Sequence, residues 1–474
     1  MTRECLFLSI TNTSLKALFL YLKKHPSGLV IALICLTVVQ VHLNLARHKS
    51  RNVIAWDVVG YYSYLPATFI DKDLKLSFIT PQNHPQYYGL KYAYLDDAQG
   101  HHVFKYPMGM AVLYAPFFFT AHALAGPLGY APDGYSEIYQ LFIEYSGLFY
   151  LLFGLIFLRR VLLAYYSESV TALSLFVIFF GTNLLCYSTL DAAMSHSYSF
   201  SLLAALIYYV SRYYQNPKLW LLLVAGLLLG LLILVRPPNL LFGLLIILFG
   251  VRRFSDLKQR FLLIVRHYRH LLVFLSVLAL VLLPQLLYWH YVTGHYLVFS
   301  YGEEGFFFSK PQLLQCLLGF RKGWLVYSPV FFFALAGLYL MRRQTSGVFL
   351  STLLVVLPLY LYIVSSWWCW WYGGSFSLRP MIDLYPLLCF PLAACLVRIG
   401  SLPETSRRLF SGLLAFLALL NICQTFQYKY NIIHYDAMTF RSYLNVFAKT
   451  ERKATDTTLL DHPDYAKALK GLGD

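Results

Sequence analysis

Long apolar stretches recur along the chain from Gly28 to Phe426, and the short polar segments between them carry clusters of charge. The stretch from Leu219 to Val235 is apolar throughout, which is typical of a membrane-spanning helix. Strands of a membrane barrel would instead alternate apolar and polar residues over about ten positions. The pattern therefore predicts an all-α fold, that of a polytopic membrane protein.

About eleven transmembrane helices are predicted. Lys16, Lys23 and Lys24 precede the first one, which has the pattern of an uncleaved anchor with a cytoplasmic N-terminus. Residues 4–22 are predicted to form an interfacial helix. The chain is predicted to consist of a transmembrane domain, residues 1–426, and a short tail, residues 427–474. Because the number of spans is odd, this tail lies on the outer side. The predicted spans are 28–46, 137–158, 168–187, 197–212, 219–235, 238–251, 271–289, 329–341, 347–364, 381–397 and 409–426.

The stretch from Tyr106 to Leu128 decides the orientation of every later helix. It is long enough to span, but Pro107, Pro116 and Pro127 favour a broken segment. If it does not span, the later basic clusters all face the cytoplasm, as the positive-inside rule requires; these are 159–160, 212–218, 252–269, 342–343 and 398–408. We therefore predict a re-entrant or surface helix here, within a long first outer loop, residues 47–136.

The segment after the first span has the pattern of an amphipathic helix. Val58, Tyr62, Leu65 and Phe69 fall on one helical face, so the helix would lie along the membrane surface. Asp57 stands at its start, at the edge of the lipid. A carboxylate in this place is either a functional group or a solvated cap of the helix, and the spacing favours neither interpretation.

The composition agrees with a membrane protein: the 474 residues are 58% hydrophobic and 13% charged, with a formal charge of +16. The basic clusters fit cytoplasmic loops and anionic lipid headgroups, and no nucleic-acid-binding module is recognisable, so no nucleic-acid partner is predicted. The adjacent pairs His101-His102 and Glu303-Glu304 lack the spacing of metal ligands. No metal site is therefore predicted, and the only cofactor left open is a divalent cation.

The predicted topology collects polar side chains at the outer face. An acid among several cations suits transfer from a phosphate-bearing donor, because the acid can accept a proton from a hydroxyl and the cations can stabilise the leaving phosphate. The aromatic run from Trp367 to Trp371 fits either sugar stacking or an interfacial belt. No Walker loop, GxSxG or HExxH motif occurs. The outer polar residues are Asp57, Lys105, Asp191, His196, Arg236, Glu303, Glu304, Arg321, Lys322, Arg379 and Asp383.

Five segments occur in a suggestive order: Asp57 with its surface helix, Lys105-Tyr106-Pro107-Met108-Gly109, and the stretches 234–238, 323–329 and 373–380. Together they resemble the GT-C class of integral-membrane glycosyltransferases. The similarity is to the branch with bacterial family 39 transferases, protein O-mannosyltransferases and the lipid A aminoarabinose transferase, and it extends loosely from about Gly28 to Val397.

This resemblance implies inverting transfer of a sugar from a polyprenyl-phosphate carrier to an acceptor hydroxyl at the outer membrane face. By position it implies that Asp57 is the catalytic base and that Lys105 contacts the donor phosphate. Val58 departs from the pattern, because several relatives have an Asp-Glu pair there; a second acid would be Asp96 or Asp97, or be absent. We further expect Arg236, Arg321 and Arg379 to bind the donor phosphate, and Tyr61, Tyr62, His196, Glu303, Trp371 and Tyr372 to bind substrate.

The expected location is the bacterial cytoplasmic membrane, with the site facing the periplasm and with membrane lipids and an unknown acceptor as partners. Two alternatives stay open: a transporter or flippase of lipid-linked saccharides, and a polysaccharide polymerase or ligase. A transporter would more often show paired repeats and ionisable groups at mid-membrane. The sequence does not indicate the sugar, the acceptor or the length of the lipid chain.

Overall fold

The computed structural model describes residues 24–77, 93–97 and 99–472, so the predicted interfacial helix over residues 4–22 lies outside the described residues. The described chain is mostly helical, which confirms the all-α prediction. Its one strand pair among these residues is an antiparallel hairpin in the first loop, formed by Tyr94–Asp96 and His102–Phe104 with Leu95 opposite Val103.

Most of the described helices coincide with apolar runs of the sequence. The α-helices are Pro26–Leu45, Asp57–Tyr62, Tyr64–Phe69, Gly109–Ala125, Glu137–Leu162, Glu168–Phe180, Leu184–Thr189, Ser195–Gln215, Leu219–Val235, Leu244–Leu248, Phe254–Arg266, Tyr268–Thr293, Leu313–Leu318, Trp324–Tyr327, Phe331–Leu340, Leu350–Ser365, Tyr385–Gly400, Glu404–Lys429, Phe440–Val446 and Tyr465–Leu469. Short 3-10 helices occupy Pro237–Gly243, Met341–Arg343, Thr345–Phe349, Arg379–Leu384 and Ala454–Leu459.

Within the described part of the chain, six helices are long and apolar enough to cross a membrane, and they fit a membrane-embedded protein. They are Pro26–Leu45, Glu137–Leu162, Tyr268–Thr293, Thr345–Ser365, Arg379–Gly400 and Glu404–Lys429. The count of eleven is not supported, because several other predicted spans are short or interrupted. The helix in the predicted span 168–187 ends at Phe180. The predicted span 238–251 begins within the 3-10 helix Pro237–Gly243, whose first two residues are prolines and lack amide hydrogens.

Helix Ser195–Gln215 lies in the core, between helices Glu137–Leu162 and Leu219–Val235. Small residues let the first pair approach closely: a Cβ added at Gly154 would lie 2.7 Å from Cα of Ser201. In lipid, the hydrophobic effect does not drive helices together, so close packing of this kind stabilises their contact instead. This close packing places His196, near the helix start, at the back of the site described below.

The segment predicted to be broken forms one continuous 17-residue helix, Gly109–Ala125. Pro116 lies inside this helix, so the expected interruption is wrong. A proline removes one main-chain hydrogen bond, but packing against helix Glu137–Leu162 holds the segment helical. The sequence signal was local, and the tertiary contact overrides it.

Gly109 allows this helix to begin against the end of helix Leu219–Val235. A Cβ added at Gly109 would lie 2.3 Å from the carbonyl carbon of Leu234, a backbone atom that cannot rotate away. We expect Gly109→Ala to lower the free energy of unfolding by about 1–3 kcal/mol, as overpacking does. Thermal melting in detergent measures the change, with Gly126→Ala as the control because its added Cβ has no neighbour within 4 Å. Equal melting temperatures for the two variants would contradict the close approach.

Candidate functional site

A cleft of about 920 Å³ lies where helix Pro26–Leu45 ends. Four distant parts of the chain form most of its wall: the first loop around Asp57, residues 187–194, the segment with Tyr372 and Arg379, and tail residues that include Asp436. The structure therefore brings three of the predicted site residues, Asp57, Tyr372 and Arg379, to one cleft. It also places the tail and Asp57 together, as expected if both lie on one side of the helices.

Asp57 is the first residue of the short helix Asp57–Tyr62 and remains 28% exposed. Its carboxylate accepts hydrogen bonds from Nη2 of Arg379 and from the hydroxyl of Tyr106, both at 2.9 Å. Burial is the largest influence and by itself raises the pKa of Asp57, but the charge of Arg379 and the Tyr106 hydrogen bond outweigh it and hold that pKa below its usual value. The carboxylate is therefore ionised at neutral pH.

The backbone is strained on both sides of this pair. Trp56, directly before Asp57, has a φ of 52°, and Tyr372 and Ser377, just before Arg379, each have a φ of 56°. Residues with side chains rarely adopt such values, which cost on the order of 1–3 kcal/mol each. Because the surrounding fold must hold this strain, the two segments that carry Asp57 and Arg379 are set rigidly.

Tyr61 and Tyr106 pack against each other beside Asp57, with ring centroids 4.6 Å apart. Burial, and then the charge of Asp57, raise the pKa of Tyr61 to about 12, so its hydroxyl stays protonated at neutral pH. Tyr62 instead points into the core, where its hydroxyl donates to the Gly134 carbonyl at 2.5 Å. Of the three tyrosines predicted to bind substrate, Tyr61 lies next to the acid and Tyr372 lines the cleft, whereas Tyr62 does neither.

Behind Tyr372 lies a buried charge network. Arg236 sits at the break after helix Leu219–Val235, with Nη1 3.5 Å from Oδ2 of Asp383 and 3.0 Å from Nδ1 of His196. His196 Nδ1 lies 3.0 Å from Oδ1 of Asp383, and the hydroxyl of Tyr360 donates to Oδ2 of Asp383 at 3.1 Å. Arg236 faces the ring of Tyr372 at 6.0 Å. Arg236 and His196 thus hold a fully buried carboxylate and support the cleft wall from behind.

Lys105 follows the hairpin and forms an ion pair with Glu304. Its Nζ lies 5.8 Å from the ring centroids of both Tyr106 and Tyr301. The charge of Lys105 is close enough to contribute to the lowered pKa of Asp57. The predicted acid Glu303 is exposed, and it is its neighbour Glu304 that meets the lysine.

Arg321 and Lys322 bind the tail. Arg321 donates to the Asp436 carbonyl at 3.0 Å and to Oδ2 of Asp461 at 3.3 Å, and its guanidinium lies 5.7 Å from the ring centroid of the buried Trp371. Lys322 is buried and donates to the carbonyls of Ser375 and Tyr435. Burial lowers the pKa of Lys322 well below its usual value. These contacts join the tail to the segment that carries Tyr372 and Arg379.

Sequence reasoning missed much of the cleft wall. The predicted outer-face residue Asp191 does line the cleft, where it pairs with Arg47 at 3.0 Å, but Asp436 and Tyr465 of the tail were not predicted. The two proposed second acids do not line the cleft: Asp96 contacts His102 at 2.5 Å and Asp97 contacts His101 at 2.8 Å on the hairpin. No motif marks the tail residues, so only their position in the fold reveals them. The cleft also borders the apolar helix Pro26–Leu45, next to Trp56, which is 70% exposed.

The arrangement combines an ionised carboxylate, a guanidinium and phenolic hydroxyls in one cleft. A carboxylate of this kind can accept a proton, and a guanidinium can bind a phosphate through two parallel hydrogen bonds. Comparisons of the chain with protein-family models, with curated proteins and with solved structures found no match.

Proposed function

We propose that this chain is a membrane-embedded glycosyltransferase that moves a sugar, with inversion, from a polyprenyl-phosphate-linked donor to an acceptor hydroxyl. The observation that carries the proposal is the contact of 2.9 Å between Arg379 and Asp57 in the wall of the cleft. A proton acceptor and a phosphate-binding group are thereby adjacent, although 322 positions separate them in the chain. Inverting transfer needs these two groups together.

Asp57 would accept the proton of the acceptor hydroxyl while its oxygen attacks the anomeric carbon. The bond from that carbon to the phosphate oxygen breaks, and the lipid phosphate leaves with the electron pair. Arg379 would bind this phosphate, because charge builds on it as the bond breaks. When Arg379 turns from Asp57 to the phosphate, the carboxylate loses a stabilising charge and becomes a stronger base.

The lipid part of the donor has an apolar path to the cleft. Leu45, at the end of helix Pro26–Leu45, lines the cleft, and Leu29, Leu33, Leu36 and Leu43 are exposed along the same helix. A polyprenyl chain can lie against such a surface while its phosphate reaches Arg379. This supports a lipid-linked donor over a water-soluble one.

The proposal keeps eleven crossings and a site at the periplasmic face of a bacterial inner membrane. The shorter apolar helices Glu168–Phe180, Leu219–Val235 and Pro237–Leu248 fall where further spans were expected. The tail supports an odd number of crossings, because Asp436 and Tyr465 share a cleft with Asp57 and so lie on the same side as the first loop.

The direct test is a transfer assay. Purified protein is incubated with radiolabelled polyprenyl-phosphate sugars and membrane extract, and the labelled product is identified. We expect a labelled glycan, lipid or protein that is absent without the enzyme. If reconstituted vesicles move the labelled donor across the bilayer and no product forms with any donor, the chain is a transporter and the proposal fails.

Substitutions of Lys105 and of Glu304 should change the KM for the donor in opposite directions. If the donor phosphate replaces Glu304 as the partner of Lys105, then Lys105→Ala raises the KM for the donor, and Glu304→Gln lowers it by freeing the lysine. A hydrogen bond between charged groups is worth about 1.5–3 kcal/mol, so changes of about ten- to hundredfold are expected. Donor saturation curves measure both.

The control is Lys49→Ala, which removes an exposed lysine of the same loop and should leave the KM unchanged. If Lys105→Ala and Glu304→Gln change the KM in the same direction, the pair is only structural and the phosphate binds elsewhere.

A further inference from the structure

The tail holds a cluster of metal-binding side chains that the proposed reaction does not use. His434, Asp436 and His462 each offer one ligand atom, and these three atoms lie within 4.8 Å of one another. His434 and Asp436 follow the last long helix, whereas His462 lies between the 3-10 helix Ala454–Leu459 and helix Tyr465–Leu469. The cluster therefore joins two arms of the tail.

Main-chain contacts hold the two arms together without any metal. The Asp461 amide, next to His462, donates to the Ala437 carbonyl at 3.0 Å. Thr439 Oγ1 donates to the Leu459 carbonyl at 2.8 Å. The rings of His434 and His462 consequently meet edge to face, with centroids 5.2 Å apart. A site held in this way is preorganised, which lowers the cost of binding.

The contact between His434 and Asp436 leaves one buried carboxylate oxygen without a hydrogen-bond donor among the described residues. The amides of Asp436 and Ala437 donate to Nδ1 of His434 at 3.3 and 3.2 Å, so this nitrogen acts as an acceptor. Oδ1 of Asp436 lies 3.2 Å from the same nitrogen, is buried, and accepts no hydrogen bond from the described residues. A bound cation would give this buried carboxylate oxygen the partner that it lacks among the described residues.

The second oxygen of Asp436 is already oriented. Oδ2 accepts a hydrogen bond from the hydroxyl of Tyr465 at 2.9 Å, and Nε1 of Trp371 lies 3.4 Å from that hydroxyl. Groups of this kind fix the direction of a metal-binding carboxylate and raise metal affinity. One oxygen is thus anchored and the other remains for the ion.

We propose that His434, Asp436 and His462 bind one zinc ion that joins the two arms of the tail beside the cleft. Two imidazole nitrogens and one carboxylate are zinc ligands, whereas magnesium and calcium prefer all-oxygen sites. Ligand atoms around tetrahedral zinc lie about 3.4 Å apart, and the three candidate atoms lie within 4.8 Å of one another. The exposed His462 therefore has to move inward by no more than about 1.5 Å. A water completes the coordination, since three protein ligands leave one position open.

The test uses the full-length protein in detergent, without a polyhistidine tag, stripped with a chelator and titrated with zinc. We expect one zinc per chain and a zinc-dependent rise in melting temperature, because a ligand that binds only the folded state stabilises it. His462→Ala is the main variant because this side chain is exposed, so its loss should leave the fold intact. It should weaken zinc binding by at least about tenfold, since even residues that only orient a ligand contribute that much.

Asp436→Asn is the second variant, and cobalt is the second probe. Tetrahedral cobalt should give visible absorption bands with the wild type that both variants lose. The control is His295→Ala, an exposed histidine outside the cluster, which should bind zinc as the wild type does. If the wild type binds no zinc, or if His462→Ala binds it equally well, the proposal is overturned. Zinc binding is measured without substrate, so this outcome is independent of transferase activity.

Discussion

Asp57→Asn should abolish most of the transfer activity, with turnover falling by a factor of about 100 or more, the usual contribution of a positioned general base. Asparagine keeps the size of the side chain and one oxygen that can accept from Arg379, and its amide can donate to the Tyr106 hydroxyl, but it cannot take the proton of the acceptor hydroxyl. Initial rates at saturating donor measure the loss. The rate should stay low at every pH, because no titration restores an amide to a base.

The matched control is Asp71→Asn, which changes an exposed acid of the same loop and should leave the rate unchanged. Gel filtration and donor binding show whether the Asp57 variant is folded. A folded, donor-binding Asp57→Asn protein with near-normal turnover would remove Asp57 from the reaction.

Arg379→Gln should produce the second large loss, about 100-fold at neutral pH, because it removes a preorganised donor to the leaving phosphate. It should also change the pH dependence. In the wild type, Arg379 holds the pKa of Asp57 below its usual value of about 3.9, so the base stays ionised even in mild acid. Without that charge, burial raises the pKa of Asp57. The acid limb of the rate profile therefore moves to higher pH in the variant.

Arg379→Lys separates charge from shape. Lysine keeps the positive charge but not the two-pronged contact, so turnover should fall less and the acid limb should stay near that of the wild type. Arg441→Gln, in an exposed position of the tail, is the control for loss of an arginine. If the rate profile of Arg379→Gln has its acid limb at the wild-type pH, Arg379 does not control the ionisation of Asp57.

The sequence by itself determined where most helices lie. Pro26–Leu45 and Glu137–Leu162 agree closely with the predicted spans 28–46 and 137–158, because a long apolar run is a local signal that needs no partner. It also singled out Asp57, since a lone acid after an apolar run is unusual. Breaks were harder to predict: Pro116 lies within a continuous helix, whereas helix Glu168–Phe180 ends at Gly181 in a run that looks unbroken.

Only the tertiary structure decided which charges meet. Arg379 contacts Asp57, Arg236 holds Asp383, and Lys105 pairs with Glu304. In the sequence, Arg236 and Arg379 look alike, because each directly precedes a proline and adjoins an apolar run. Their partners come from segments tens to hundreds of residues away in the chain, and helix packing brings these segments into contact. The tail likewise reaches the cleft because Arg321 and Lys322 bind its main-chain carbonyls. The sequence does not indicate which carbonyls are bound, because every residue has a carbonyl.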